Sequence, residues 1–167
     1  MRIPEILMLF LILTVAFIAV KERLCNKTGW YIAIGMLFLL WLVAVIWNTI
    51  IGRKQITDFS VSYLIPFYSY YVVLTGGEQE LLRSNLMNII LFYPAGLFGY
   101  GMLPKCWKRK WRIVVMTAFC ALLSISIEVC QYYFALGRAE TDDVLHNTLG
   151  AFIGVLVCSL QIRNRRS

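Results

Sequence analysis

The chain has 167 residues, of which 60% are hydrophobic and 15% charged, and its formal net charge is +7. A soluble domain usually has about 45–50% apolar and about 25% charged residues, so this composition excludes a water-soluble globule, a disordered chain and a disulfide-stapled scaffold. It indicates an all-α, polytopic membrane protein, because each helix that crosses a bilayer takes about 20 apolar residues.

Five apolar blocks are long enough to be membrane-spanning helices, and they predict a single membrane domain over 1–167. The first block is interpreted as a span rather than a signal peptide, since no small-residue cleavage site precedes Lys21. In chain order the blocks are Ile3–Val20, Trp30–Ile51, Leu86–Leu103, Ile113–Phe134 and Val144–Ile162.

The basic residues lie in short runs between these blocks, so they are interpreted as topology signals rather than as a nucleic-acid surface. With the N-terminus outside, eleven of the 16 Lys and Arg residues lie on the cytoplasmic side of the membrane. This asymmetry predicts a multi-pass protein of the cell membrane with an outer N-terminus and a cytoplasmic C-terminus. The five Cys residues show no CxxC or metal-ligand spacing, and no metal or cofactor is predicted.

Two connections are then expected outside, Gly52–Asn85 and Ala135–Asp143. The first contains the aromatic run Tyr63–Tyr71, which is interrupted by Pro66 and too short to span a bilayer. Because Tyr side chains suit the headgroup region, this run is predicted to lie in the outer interface.

Polar side chains recur at the outer end of the last three blocks. Ser124, Glu128 and Gln131 are spaced i, i+4 and i+7, so they share one face of the fourth helix. Asp143 and Asn147 share a face of the fifth helix in the same way. Polar groups inside a membrane helix are costly and are candidates for function by default.

Glycine and proline mark the packing of the same helices. Gly150 and Gly154 form a GxxxG pair, which predicts a close approach of another helix. In the third block Asn88 and Gly96 lie along one stripe, and Pro94 interrupts the hydrogen-bond ladder between them. A packing seam and a tolerated kink explain these residues without any function.

The polar residues of the three helices and of the turn above them predict an outward-facing pocket. Acids in a first helical turn also favour the helix dipole, so Asp142 and Asp143 have a structural interpretation as well. The single His146 lies off the polar face and is interpreted as an interfacial residue. The predicted pocket consists of Asn88, Ser124, Glu128, Gln131, Arg138, Glu140, Asp142, Asp143 and Asn147.

At these residues the sequence resembles the VanZ-like family, which is named for a glycopeptide-resistance accessory protein that confers teicoplanin resistance. The resemblance covers about 63–156, while 3–51 holds two less diagnostic spans. Tyr63 departs from the Asn expected there, and the stretch after Arg138 is one residue shorter than usual. The matching segments are Tyr63-Leu64-Ile65-Pro66-Phe67, Asn88 with Phe92-Tyr93-Pro94-Ala95-Gly96, Ser124 through Gln131, and Asp142-Asp143 through Gly154.

The resemblance implies a factor of the bacterial cell envelope that acts in resistance to lipid-tailed glycopeptides. The implied partners are membrane lipids and a lipid-linked cell-wall precursor or a lipoglycopeptide, with no nucleic acid. One alternative is an intramembrane enzyme with Glu128 as general base, Asp143 as a second carboxylate and Arg138 as an anion clamp. A divalent ion held by Glu128, Asp143 and Asn147 is also chemically possible. The third hypothesis is a small carrier.

Overall fold

A computed structural model describes residues 27–52, 65–76, 79–136 and 140–163 of the chain. The regular structure of these residues is helical, which confirms the all-α class. The first predicted span, Ile3–Val20, lies outside the described residues. The helices are α1 (Lys27–Ile46), which continues into a π-helical turn (Trp47–Ile51), α2 (Tyr68–Gly76), α3 (Gln79–Met102), α4 (Arg109–Tyr133) and α5 (Thr141–Arg163).

Four of these helices are long and apolar enough to cross a membrane, and they correspond to the second to fifth predicted blocks. All four helices begin before their apolar blocks: α3 seven residues before Leu86, α4 four residues before Ile113, and α1 and α5 three residues before Trp30 and Val144. An apolar block marks where a helix enters lipid, whereas the helix itself extends into polar sequence. The candidate spans are Thr28–Ile51, Glu80–Met102, Arg109–Tyr133 and Thr141–Gln161.

The centre of the bundle is a glycine seam between α3 and α5. A Cβ added at Gly150 would overlap the carbonyl oxygen of Ile89, and one added at Gly154 would overlap that of Tyr93. From the other side, a Cβ added at Gly96 would overlap the backbone of α5. The two helices therefore touch backbone to backbone, as the GxxxG spacing predicts.

Helix α1 packs on the side of α3 at the turn that precedes Pro94. The indole Nε1 of Trp41 donates to the carbonyl of Leu91 over 2.6 Å, and its ring meets that of Phe92 edge-on with centroids 5.7 Å apart. Pro94 has no N–H for the carbonyl of Ile90, and Trp41 bonds the carbonyl next to it in the chain.

At the opposite end from the predicted pocket, a buried cation joins α3 to α4. Arg112 is 4% exposed, its Nη2 donates to the carbonyl of Tyr100 over 3.0 Å, and its guanidinium lies 4.2 Å from the centroid of the Tyr100 ring. That carbonyl belongs to the last turn of α3, where the helix dipole favours a cation. Arg112 is therefore a packing residue as well as a topology signal.

Candidate functional site

The candidate site lies where the first half of α3, the last turns of α4 and the first turns of α5 meet. Among the described residues, every Asp and Glu lies at this end of the bundle, and the cations of the α3–α4 connection lie at the other. The antiparallel order of the three helices produces this arrangement, because it brings the N-terminal ends of α3 and α5 beside the C-terminal end of α4.

Two amides join the three helices across the site. Asn88 on α3 donates its Nδ2 to the carboxylate Oδ1 of Asp143 on α5 over 2.6 Å. One turn further along α5, the Nδ2 of Asn147 donates to the Oγ of Ser124 on α4 over 2.8 Å. The two stripes predicted from sequence, on α4 and α5, therefore face each other, and Asn88 meets the second stripe.

The Glu128 carboxylate connects α4 to the start of α5. Glu128 is 7% exposed, and its Oε2 accepts the backbone N–H of Glu140 over 3.1 Å. This N–H immediately precedes α5, so the carboxylate lies at the positive end of that helix dipole, where a negative charge is stabilised. Glu128 therefore faces the bundle interior rather than lipid.

Gln131 extends the site to α1. Its Nε2 donates to the carbonyl of Thr49 over 3.0 Å, and Thr49 lies in the π-helical turn that ends α1. A π turn leaves carbonyls out of the regular α-helical ladder, and here a side chain of α4 bonds one of them. Helix α1 is thus tied to the polar residues of α4.

Two buried side-chain oxygens of this site have no hydrogen-bond donor among the described residues. They are the Oδ1 of Asn147 and the Oε1 of Gln131, on side chains that are 4% and 1% exposed. A buried acceptor without a donor costs about 1–3 kcal/mol, so acceptors of this kind are few in native proteins. Both oxygens can accept a hydrogen bond from a bound group.

Asp142 engages a different partner from its neighbour Asp143. Its carboxylate accepts the backbone N–H of Phe67, the backbone N–H of Ser69 over 2.9 Å and the hydroxyl of Ser69. The Nδ2 of Asn85 completes this group by donating to the Ser69 hydroxyl over 2.8 Å. Asp142 therefore anchors the start of α2, in the segment that contains Pro66, instead of joining Asn88 and Asn147.

His146 belongs to the same anchor. Its Nδ1 lies 2.5 Å from the backbone carbonyl of Asp142, and its Nε2 lies 2.8 Å from the hydroxyl of Tyr70. A carbonyl only accepts, so Nδ1 carries a proton, and Nε2 shares a second hydrogen bond with the Tyr70 hydroxyl. The histidine thus connects α2 to α5 by a hydrogen bond.

The structure thus divides the predicted pocket residues into two groups, because Asp142 belongs to the anchor of α2 whereas the other described residues form the polar cluster defined below. Arg138 lies outside the described residues, and Glu140 takes part through its backbone N–H. Sequence reasoning missed the anchor residues Ser69, Asn85 and His146, although the i, i+4 spacing of Asp142 and His146 was a usable signal. The polar cluster, as this group is called below, comprises Asn88, Ser124, Glu128, Gln131, Glu140, Asp143 and Asn147.

The atoms that the polar cluster offers to a ligand are amide, hydroxyl and carboxylate oxygens. Within 27–52, 65–76, 79–136 and 140–163, no three His, Cys, Asp or Glu side chains lie together in a way that could hold a metal ion. The arrangement presents acceptor oxygens to a ligand with hydrogen-bond donors, such as amide N–H and hydroxyl groups.

Comparison with known proteins agrees with this organisation. The VanZ/LLP1 family model matches residues 29–162, a range that includes α1 and all the residues of the polar cluster. The chain is 31% identical to Protein VanZ of Enterococcus faecium over 137 residues, which covers 74% of this chain and 72% of that relative. No solved structure matches the chain. The resemblance seen in the sequence is thereby confirmed, and the chain belongs to the VanZ/LLP1 family.

Proposed function

We propose that this membrane protein protects the cell envelope against lipid-tailed glycopeptides of the teicoplanin type by binding an amphiphilic envelope ligand at the polar cluster. Such a ligand is the glycopeptide itself or the lipid-linked cell-wall precursor that it recognises. Membership of the VanZ/LLP1 family supports the resistance role. The buried acceptors of the polar cluster support the binding mode.

The observation that carries the proposal is the pair of unpartnered oxygens on Asn147 and Gln131. Each side chain already donates an amide N–H to a protein acceptor, so its orientation is set and each oxygen is left without a donor among the described residues. Glycopeptides and cell-wall precursors are rich in amide N–H and hydroxyl donors. A donor bound here would remove the cost of about 1–3 kcal/mol for each buried acceptor.

The two carboxylates that the enzyme alternative needs act as acceptors in this structure. Asp143 accepts from the amide of Asn88, and Glu128 accepts from the backbone N–H of Glu140. A carboxylate that organises helix ends is suited to holding a ligand site in shape. This geometry supports the binding role, with the intramembrane enzyme and the small carrier kept as alternatives.

The proposed orientation places the polar cluster on the outer face of the membrane, with the C-terminus in the cytoplasm. It is supported by the segregation of charge, because the basic α3–α4 connection then lies in the cytoplasm. Cys106 in that connection is exposed and can report the orientation. In intact cells, a membrane-impermeant thiol reagent should fail to label a variant with Cys106 as its sole cysteine. The same reagent should label a variant whose sole cysteine replaces Gly77, and the reverse pattern would overturn this orientation.

The function is tested in a glycopeptide-susceptible bacterium that expresses the protein. Expression should raise the concentration of teicoplanin needed for inhibition and leave that of vancomycin, which lacks a lipid tail, unchanged. Asn147→Leu keeps the number and branching of the side-chain heavy atoms, removes one unpartnered acceptor together with the bond to Ser124, and should abolish the protection. Ser126→Ala is the matched control, because the Ser126 hydroxyl is exposed and bonds only the carbonyl of Leu122 in its own helix.

Purified protein gives the direct measurement. Binding of teicoplanin by calorimetry should weaken about tenfold in Asn147→Leu, since one hydrogen bond of about 1.4 kcal/mol is lost, and should be unchanged in Ser126→Ala. The proposal fails if expression gives no protection, or if Asn147→Leu protects as well as the wild type at equal abundance.

A further inference from the structure

The basic end of the bundle, opposite the polar cluster, carries a groove that the proposed function does not use. Five cations lie between the end of α3 and the first turn of α4. Arg112 is bonded to the carbonyl of Tyr100, and Arg109 donates to the hydroxyl of Ser159 over 3.1 Å. The remaining three, which are exposed, are Lys105, Lys108 and Lys110.

The groove has a volume of about 360 Å³ and is lined by Trp107, Lys108, Trp111 and Val115. Trp111 and Val115 are spaced four residues apart, so they share one face of α4, whereas Trp107 precedes the helix. At 1.5 Å per residue, Trp111 and Val115 cover about 6 Å of the start of α4. The two indole side chains are 45% and 56% exposed.

The electrostatics of the groove are positive. Lys108 is one of its lining residues, and the ammonium of Lys110 lies 6.0 Å from the centroid of the Trp111 ring. The first turn of α4 adds the partial positive charge of its unbonded N–H groups. None of the carboxylates in the described part of the chain lies at this end of the bundle, so no described acid neutralises the groove.

We propose that this groove binds the headgroup of an anionic phospholipid. The phosphodiester would accept hydrogen bonds from the Lys108 ammonium and from an indole N–H, while the glycerol and first methylenes lie against Trp111 and Val115. The groove combines the groups that this ligand needs, which are a cation, amphipathic indoles and an aliphatic side chain. Lysines beside a membrane span attract anionic lipids, whereas a zwitterionic headgroup carries a cation that Lys108 repels.

A bound lipid must be distinguished from diffuse attraction between the basic end and an anionic membrane surface. Lys105 provides the matched control, because it belongs to the same basic segment and is equally exposed. Its ammonium lies 6.0 Å from the centroid of the Tyr31 ring on α1, and it does not line the groove. Lys105→Gln and Lys108→Gln remove the same charge, but only the second changes the groove.

The test uses the full chain in phosphatidylcholine nanodiscs that contain a fixed fraction of lipid brominated in the upper acyl chain. Quenching of tryptophan fluorescence by brominated phosphatidylglycerol is compared with quenching by brominated phosphatidylcholine. The wild type should prefer phosphatidylglycerol. Lys108→Gln should reduce that preference about fivefold, the equivalent of about 1 kcal/mol for one lysine near an anionic headgroup.

The two remaining variants complete the test, and all of them keep the five Trp residues. Lys105→Gln should retain the wild-type preference, and Lys108→Arg should restore it, since it keeps the charge. Equal quenching of the wild type by the two brominated lipids would overturn the proposal. Equal losses in Lys105→Gln and Lys108→Gln would also overturn it, because they would mean diffuse attraction without a site.

Discussion

Phe67 donates its backbone N–H to the carboxylate of Asp142 while it holds a φ of 63°. A bulky L-residue pays about 1–2 kcal/mol for a left-handed backbone. The charge-assisted bonds to Asp142 offset this cost, because the same carboxylate also accepts the backbone N–H and the hydroxyl of Ser69. The Asp142 carboxylate is therefore the central acceptor of the anchor that holds α2 over the start of α5.

Asp142→Asn should loosen this anchor. The amide keeps one acceptor oxygen for three donors and loses the charge, so we expect the free energy of unfolding to fall by about 2–3 kcal/mol. Thermal unfolding of the protein in detergent measures the change. Glu80→Gln is the control, because Glu80 makes a surface ion pair with Arg83 at 3.6 Å and should cost less than about 1 kcal/mol. Equal losses in the two variants would contradict the anchor.

A glycine in the seam and a glycine outside it should respond differently to substitution by alanine. Gly150→Ala places a methyl group against the backbone of Ile89, so the helices must separate, at a cost of about 1–3 kcal/mol or more. Gly35→Ala in α1 meets nothing within 4 Å and should be neutral or stabilising by about 0.5–1 kcal/mol. Yield and thermal stability in detergent should both fall in Gly150→Ala, and both should stay the same or rise in Gly35→Ala. A stable Gly150→Ala protein would refute the close contact.

Helix α4 ends in a motif that normally carries glycine. Ala135 has a φ of 55°, and the backbone N–H groups of Ala135 and Leu136 return to the carbonyls of Tyr132 and Gln131 over 3.3 and 2.8 Å. This is the bonding of a Schellman motif, whose left-handed residue is usually glycine. Ala135→Gly should therefore stabilise the protein by about 1 kcal/mol.

The opposite sign is expected for the same substitution inside the helix. Ala118→Gly on the exposed side of α4 should destabilise the protein by about 0.5–1 kcal/mol. Thermal unfolding of both variants under one set of conditions decides the matter. A loss of stability in Ala135→Gly would show that Ala135 does not adopt a left-handed backbone conformation.

Glu128→Gln separates binding from acid–base chemistry. Glutamine keeps an acceptor oxygen for the N–H of Glu140 but removes the titratable proton. We expect the variant to accumulate in the membrane and to protect cells as the wild type does. Protection is measured as the inhibitory teicoplanin concentration at matched protein abundance. Normal folding with complete loss of protection would instead favour the enzyme alternative.

The sequence alone determined the membrane character, the four long helices and the close approach of another helix at Gly150 and Gly154. Each of these depends on local spacing, because lipid demands apolar blocks of a certain length and a GxxxG pair exposes backbone at fixed intervals. The stripes that carry Ser124 with Glu128 and Asp143 with Asn147 followed from the helical period in the same way. The start of α3 did not, since its first turns are polar and carry no apolar signal.

The tertiary structure alone decided which partner each polar side chain has. Asp142 and Asp143 are neighbours of identical chemistry, but a helix turns about 100° per residue, so one meets α2 and the other meets Asn88 on α3. Likewise Arg112 is one of five similar cations in the sequence. It is buried against the Tyr100 carbonyl only because the last turn of α3 approaches it. Spacing along the chain specifies the face of a helix on which a side chain lies, whereas its hydrogen-bond partner depends on how the helices cross.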